Sequence, residues 1–171
     1  TIGGNLPKLG IGRTIDLGGK KVTIQEELGS GRYGTVYLCN VVSADGQSEE
    51  CALKIQCPTE SLAVEYKYLV LLNQRVKPDE SGFLPFPCPL GHYMHDNGGM
   101  LLTSYIPDCC TLLHAAENLN DVCRVQMIDS KTRGLIATLF TARILTQVVV
   151  LHKNRVLVSN ESYANVYCLI L

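Results

Sequence analysis

Three glycines, at positions 29, 31 and 34, stand between two strand-like runs, and that placement constrains the fold more than any other feature of the chain. Upstream, "KVTIQEEL" sets Val22 and Ile24 against Thr23 and Gln25, the period of two of a half-buried strand. Downstream, "TVYLCNVV", residues 35–42, is rich in β-branched and aromatic residues. A strand therefore enters the glycines and a strand leaves them. The same G-x-G-x-x-G spacing occurs in dinucleotide folds, but there the glycines open a helix whose N-terminus holds the pyrophosphate. A Walker A loop is excluded too, because Thr35 rather than Lys follows Gly34. What remains is a glycine hairpin. Its backbone amides can close over phosphates with no side chain in the way, and Val36 can lie over a flat base.

Such a lid needs a cation for the phosphates, and the next strand supplies one. After the turn "SADGQ", alternation along "CALKIQ" puts Lys54 on one face with Ala52, small enough to leave room for a purine, and sends Leu53 and Ile55 into the core. Pro58 breaks the strand, Thr59 is a cap with Glu60 in the first turn, and "SLAVEYKYLVLLNQRV" carries apolar groups at 62, 66, 69, 72 and 76. That is an amphipathic helix stopping near Pro78, and its Glu65 can orient the Lys54 ammonium through a charge-assisted hydrogen bond. Singly, these features have blander readings: a tight hairpin, a strand-edge charge, a solvated helix position. Their order, spacing and strand context together read as a nucleotide site.

Residues 79–89 read as a loop with alternate prolines, followed by a hairpin of "LGHYMH", "DNGG" and "MLLTSYI". Beyond Pro107 the pattern turns helical: "TLLHAAENL" is short, and "KTRGLIATLFTARILTQVVVLHK" is long, with Ile136, Phe140, Ile144, Val148 and Leu151 in one stripe. The class is α+β. With 171 residues, 46% hydrophobic, the chain suits one ordinary globular domain, and Thr at position 1 with no leader-like run reads as a piece of something longer. A net charge of −1 disfavours a nucleic-acid partner. No membrane span is expected, because Thr138, Thr141, Arg143, Thr146 and Gln147 interrupt the longest apolar region. The eight cysteines follow no spacing rule and fit reduced intracellular thiols. Cys88, His92 and His95 have a metal-like spacing, but the two histidines fall on opposite faces of a strand, so no metal site is expected there.

"LGSGRYGTVY", "CALK" and "VEYKYL" resemble the glycine-rich loop, the strand lysine and the pairing-glutamate helix of the eukaryotic protein kinases. The resemblance implies a protein-kinase-like fold: a five-stranded antiparallel small lobe with helix C, plus an incomplete helical large lobe. It implies an irregular lead-in over 1–19, small lobe and hinge over 20–106, the start of the large lobe over 107–157, and a degenerate or non-family tail over 158–171. ATP, with Mg²⁺ in an intact parent, would be held by Leu28, Gly29, Gly31, Gly34, Val36, Ala52 and Lys54. Thr103 would be the gatekeeper, and Ser104, Tyr105 and Ile106 the hinge. Lys54 and Glu65 would be the catalytic ion pair. Within that group, "LKIQCP", "AVEYKYLVLLNQRV" and "NGGMLLTSYIPDCCTLLHAAEN" are similar to the Bub family of spindle-checkpoint serine/threonine kinases. This implies a nuclear, kinetochore and cytoplasmic protein with protein substrates or checkpoint partners. The family contains both active kinases and pseudokinases.

The closing segment departs from the family. "LHKNRVL" resembles the run before the catalytic loop, where His-Arg-Asp or His-Gly-Asp should follow, with Lys and Asn further on. Val158, Ser159 and Asn160 stand there instead, then Ser162, with Asn165 at the metal-ligand position. An asparagine cannot take a hydroxyl proton as an aspartate can, and loss of the Lys removes a phosphate-stabilising charge. As written the chain is expected to be inactive, since it also stops before an Asp-Phe-Gly segment. Two readings stay open: a pseudokinase that binds partners or nucleotide, or translation into a retained intron beginning at Val158-Ser159.

Overall fold

A computed structural model of the chain describes residues 8–31, 34–57, 60–78, 84, 86–95, 98–107, 110–153 and 167–168. It divides into two compact units, Thr1–Gln74 with Phe86–Tyr105, and Arg75–Pro85 with Ile106–Leu171.

The first unit is built on one antiparallel sheet. Its strands are β1 (Thr14–Leu17), β2 (Lys20–Gly31), β3 (Gly34–Val42), β4 (Ser48–Gln56), β5 (Pro89–His95) and β6 (Gly98–Ser104), in the spatial order β1-β2-β3-β4-β6-β5. Val22, Ile24, Tyr37, Cys39, Val41, Cys51, Leu53, Ile55 and Leu102 all lie on one face and are at most 2% exposed. A single sheet buries one face against itself only by curling, which gives a half-barrel with the core on its inner side. The alternation read from the sequence therefore holds at Val22 and Ile24 of β2 and at Leu53 and Ile55 of β4, and β3 alternates in the same way.

The sheet has six strands rather than five, because part of the stretch expected as irregular lead-in is structured. Leu17, Gly18, Gly19 and Lys20 form a two-residue hairpin turn, with Gly18 at φ +62° and Gly19 at φ +84°. Positive φ at both central residues matches the twist of the flanking strands, and only glycine adopts it without cost. The Gly19 N–H also donates to Asp16 Oδ1 at 3.0 Å. On β1, Leu17 closes the core and Ile15 packs against it; Leu9 is buried as well, and its N–H donates to the Tyr37 hydroxyl at 3.3 Å.

The outer face of the sheet faces helix α1 (Glu60–Arg75), whose Glu65 reaches Lys54 on that face. The expected stripe is turned inward: Leu62 and Leu72 are buried, and Tyr66, Leu69 and Val76 half-buried. The expected cap, Thr59, lies outside the described residues.

The second unit contains β7 (Cys110–Thr111), α2 (Leu112–Val125), α3 (Ser130–Lys153) and β8 (Tyr167–Cys168). The short ribbon of β7 and β8 pairs Cys110 with Cys168 and Thr111 with Tyr167, so the span expected to be helical from Pro107 on also contains a two-residue strand, paired to one at 167–168. Helix α2 runs through "NDVCRV" and ends with Met127 at φ +51°, where the Ile128 N–H donates to the Cys123 carbonyl at 3.0 Å. Asp129 then caps α3: its carboxylate accepts from the Lys131 N–H at 2.9 Å and the Thr132 N–H at 3.0 Å.

Helix α3 is long and apolar enough to cross a membrane by length and composition. The sequence argument against a span leaned on Thr138, Thr141 and Thr146 together with Arg143 and Gln147. Three of them satisfy their hydroxyls locally: Thr138 on the Gly134 carbonyl, Thr141 on Ala137 and Thr146 on Ala142, at 2.8 to 2.9 Å. Back-bonding of this kind lowers the cost of placing threonine in an apolar surrounding. The core helix of a soluble protein passes the same length and composition test.

Candidate functional site

The candidate residues of the first unit gather on the outer face of the sheet. Register sets Val36 opposite Lys54, and Lys54 opposite Leu101; one step along, Ala52 lies between Leu38 and Thr103. Val36, Ala52, Lys54 and Thr103 thus share one face by strand geometry alone. Lys54 Nζ donates to Glu65 Oε2 at 2.6 Å, with the lysine side chain 23% exposed and the carboxylate side chain 40%. The lysine stands on β4, an interior strand, and the pair keeps enough exposure to be reached by a ligand. Thr103 is the most enclosed polar side chain of this face apart from Gln56, at 9% exposure.

The glycine hairpin closes above this row. Gly31 pairs with Gly34, Ser30 with Thr35, and Gly29 with Val36. The Ser30 and Thr35 hydroxyls hydrogen-bond across the strands at 3.1 Å. Gly34 has φ +116°, and a Cβ there would overlap the Ile55 carbonyl oxygen and approach its carbon to 3.1 Å. At Gly29 and Gly31 a Cβ would meet nothing within 4 Å among the described residues. The three glycines therefore do different work: Gly34 lets the hairpin lie on β4, while Gly29 and Gly31 leave the space below the lid free. Leu28 is the extra residue of a bulge between the Glu27 and Gly29 pairings, a device that re-aims a side chain, and it is 41% exposed. The hairpin tip, residues 32–33, lies outside the described residues.

Of the expected hinge, Ser104 ends β6 and Tyr105 closes the first unit, whereas Ile106 opens the second. The Ser104 N–H donates to the Cys88 carbonyl at 2.8 Å, so it is not free for a base. Asn160 and Asn165 lie outside the described residues. Among the described residues no group of three His, Cys, Asp or Glu side chains could hold a metal ion.

Sequence reasoning missed several polar contacts around α1. Tyr66, next to Glu65, stacks on His92 with ring centroids 5.7 Å apart, and His92 Nε2 is buried with no hydrogen-bond partner among the described residues. Asn73 donates through Nδ2 to the Leu69 carbonyl at 2.9 Å and to the Pro87 carbonyl at 3.0 Å. No spacing rule announces these contacts; the stacking depends on how β5 lies against the helix, and the Asn73–Pro87 bond on how the segment before β5 passes it.

A glycine hairpin over a strand lysine, paired to a glutamate on the next helix, on a curled antiparallel sheet: fold and site together define a kinase-like arrangement. The solved structures agree at the level of the fold. A crystal structure of the BubR1 kinase domain is similar with a TM-score of 0.63 and 18% sequence identity, over 88% of this chain. The chain spans 42% of the length of that neighbour. No protein-family model matches the sequence, and no curated protein matches it significantly.

Proposed function

We propose that this chain is a kinase-like domain that binds ATP on the outer face of its small lobe and does not itself transfer phosphate. The observation that carries the reading is the Lys54–Glu65 pair at 2.6 Å, directly across the strands from Val36. A carboxylate that fixes an ammonium beside a glycine hairpin prepares a phosphate site. Ala52, beside Thr103, leaves room for a purine, and Gly29 and Gly31 leave room for phosphates. Those features suit the nucleotide. Nothing comparable supports a Mg²⁺ site among the described residues.

In an intact parent the same site would serve phosphoryl transfer from ATP to protein serine or threonine, and the likeness to BubR1 supports a role in the mitotic spindle checkpoint at kinetochores. Helix α1 then corresponds to helix C. Asn160, where a catalytic aspartate is due, favours the second reading: a pseudokinase or scaffold that binds checkpoint proteins without transfer.

The test is titration of the whole chain with AMP-PNP, with and without Lys54→Met. Binding that the substitution weakens about tenfold or more, the scale of a lost charge-assisted contact, supports the nucleotide site. Binding that Lys54→Met leaves unchanged, or no binding at all, refutes it. Phosphate transfer to a generic protein substrate by the unaltered chain refutes the inactive assignment.

A further inference from the structure

The contacts missed by sequence reasoning join two parts of the site that the sheet alone does not connect. The Pro87 carbonyl and the Cys88 N–H belong to one peptide group. On one side that group accepts from Asn73 Nδ2 of α1 at 3.0 Å, and on the other it donates to the Ser104 hydroxyl oxygen of β6 at 2.8 Å. The Ser104 N–H returns a bond to the Cys88 carbonyl at 2.8 Å, which fixes the 88–104 pairing from both directions. Asn73 uses its second amide hydrogen on the Leu69 carbonyl one turn back, so its side chain is anchored to its own helix.

A peptide group is planar, with about 18–20 kcal/mol opposing rotation about its C–N bond, and in the trans form its N–H and C=O point in opposite directions. It therefore transmits position as a rigid strut. Hydrogen bonds at its two ends also polarise one another, so that losing one weakens the other. One end of the strut is the serine that terminates β6, beside Thr103. The other is Asn73, two turns along α1 from Glu65.

We propose that Asn73 and Ser104 are positioning residues: through the 87–88 peptide they tie the end of β6 to helix α1 and so hold Glu65 against Lys54. The proposal rests on the nucleotide reading for its consequence, and on the hydrogen bonds for its existence. Adenine seated beside Ser104 would then stiffen the helix that carries Glu65, and disturbance of the helix would weaken nucleotide binding.

Two experiments on the whole chain test it. The first needs no nucleotide. Amide hydrogen exchange is compared for Ser104→Ala, which removes the hydroxyl acceptor, and Ser104→Thr, which restores it. Faster exchange over residues 69–75 in the alanine variant, returned by threonine, supports the strut; exchange in α1 that Ser104→Ala leaves unchanged overturns it. The second is a double-mutant cycle on AMP-PNP affinity. Asn73→Ala should weaken binding about tenfold, the scale of one well-placed hydrogen bond, and should have little further effect once Glu65→Ala is present. Losses that multiply across the cycle overturn positioning through Glu65. Asn73→Asp, similar in volume but with a carboxylate that can donate neither bond, should behave as the alanine variant does; wild-type affinity in it counts against the proposal. If the unaltered chain binds no AMP-PNP, the nucleotide reading fails and the exchange experiment still decides the strut.

Discussion

Replacing Gly34 by alanine separates the folding role of the glycine hairpin from its proposed ligand role. At φ +116° a residue with a Cβ is strained, by about 1–3 kcal/mol for a sparsely populated backbone region. The added methyl would also overlap the Ile55 carbonyl oxygen and lie 3.2 Å from Gln56 Cα, all backbone atoms of β4 that cannot swing aside. Forcing the two strands apart costs about another 1–3 kcal/mol. The sum, roughly 2–6 kcal/mol, is a large share of the about 5–15 kcal/mol that stabilises an ordinary domain. Gly31→Ala meets open space, so its effect on stability should stay within about 1 kcal/mol and can be favourable through the unfolded chain. The chain contains no tryptophan, so urea unfolding is best followed by far-ultraviolet circular dichroism. The expected result is an early midpoint for Gly34→Ala and a near-normal one for Gly31→Ala, with nucleotide affinity reduced in the latter. Equal midpoints for the two variants, or a Gly34→Ala loss below about 1 kcal/mol, would refute the division of labour.

Three further outcomes follow from other parts of the chain. Burial pushes the Cys39 thiol from an ordinary 9.0 to about 12 and the Cys51 thiol to about 11, whereas Cys88 is exposed. Native iodoacetamide labelling near neutral pH should therefore modify Cys88 and spare the buried pair. Because the folded state holds those two protons more tightly, their contribution to stability is complete below pH 9 and is lost as pH rises through 11 to 12, which alkaline unfolding curves check. The Asp129 carboxyl is held below its ordinary range, chiefly by the Thr132 hydroxyl and N–H, so its cap on α3 persists above the ordinary pKa of 3.8 and is lost as pH falls through the lower folded value. Asp129→Ala should speed hydrogen exchange in the first turn of α3 at neutral pH, and equal exchange in the two proteins would remove the cap from the account. Leu135, Leu139, Leu145 and Val149 are 48% to 66% exposed on α3, so the chain should bind anilinonaphthalene sulfonate and associate in solution; a monodisperse chain with no dye binding would contradict that.

What the sequence disclosed depended on the range of the interaction. Strands β2, β3 and β4 were legible because alternation is local: Val22, Ile24, Leu53 and Ile55 report their face through neighbours one or two positions away. Lys54 and Glu65 were legible although 11 positions separate them, because a strand, a break and a helix of predictable phase lie between. The strand Thr14–Leu17 was obscured by the glycines around it, although Gly18-Gly19 is a hairpin signal and Ile15 and Leu17 alternate. The contacts of Asn73 and Ser104 left no trace, since an asparagine near a helix end and a serine at a strand end are unremarkable alone. Their partner is a backbone peptide, which carries no side-chain signature.

Binding and transfer make different demands on this chain. All the described candidate residues for nucleotide binding except Ile106 fall within the first unit, whose inner core is closed by Leu9, Leu17 and the inward residues of five other strands. The Lys54–Glu65 pair is formed inside that unit, between β4 and α1, so the proposed nucleotide binding draws on residues of that unit. Transfer of phosphate also needs a proton acceptor and metal ligands. The positions that would supply them, Asn160 and Asn165, belong to the second unit's span, and the first of them has the wrong chemistry for a base. Loss of transfer therefore does not entail loss of binding. If the proposed nucleotide site draws on the first unit alone, replacing Asn160 by aspartate should leave AMP-PNP affinity where it is; a large change in affinity would mean that the nucleotide contacts reach beyond the first unit and would refute that separation of binding from transfer.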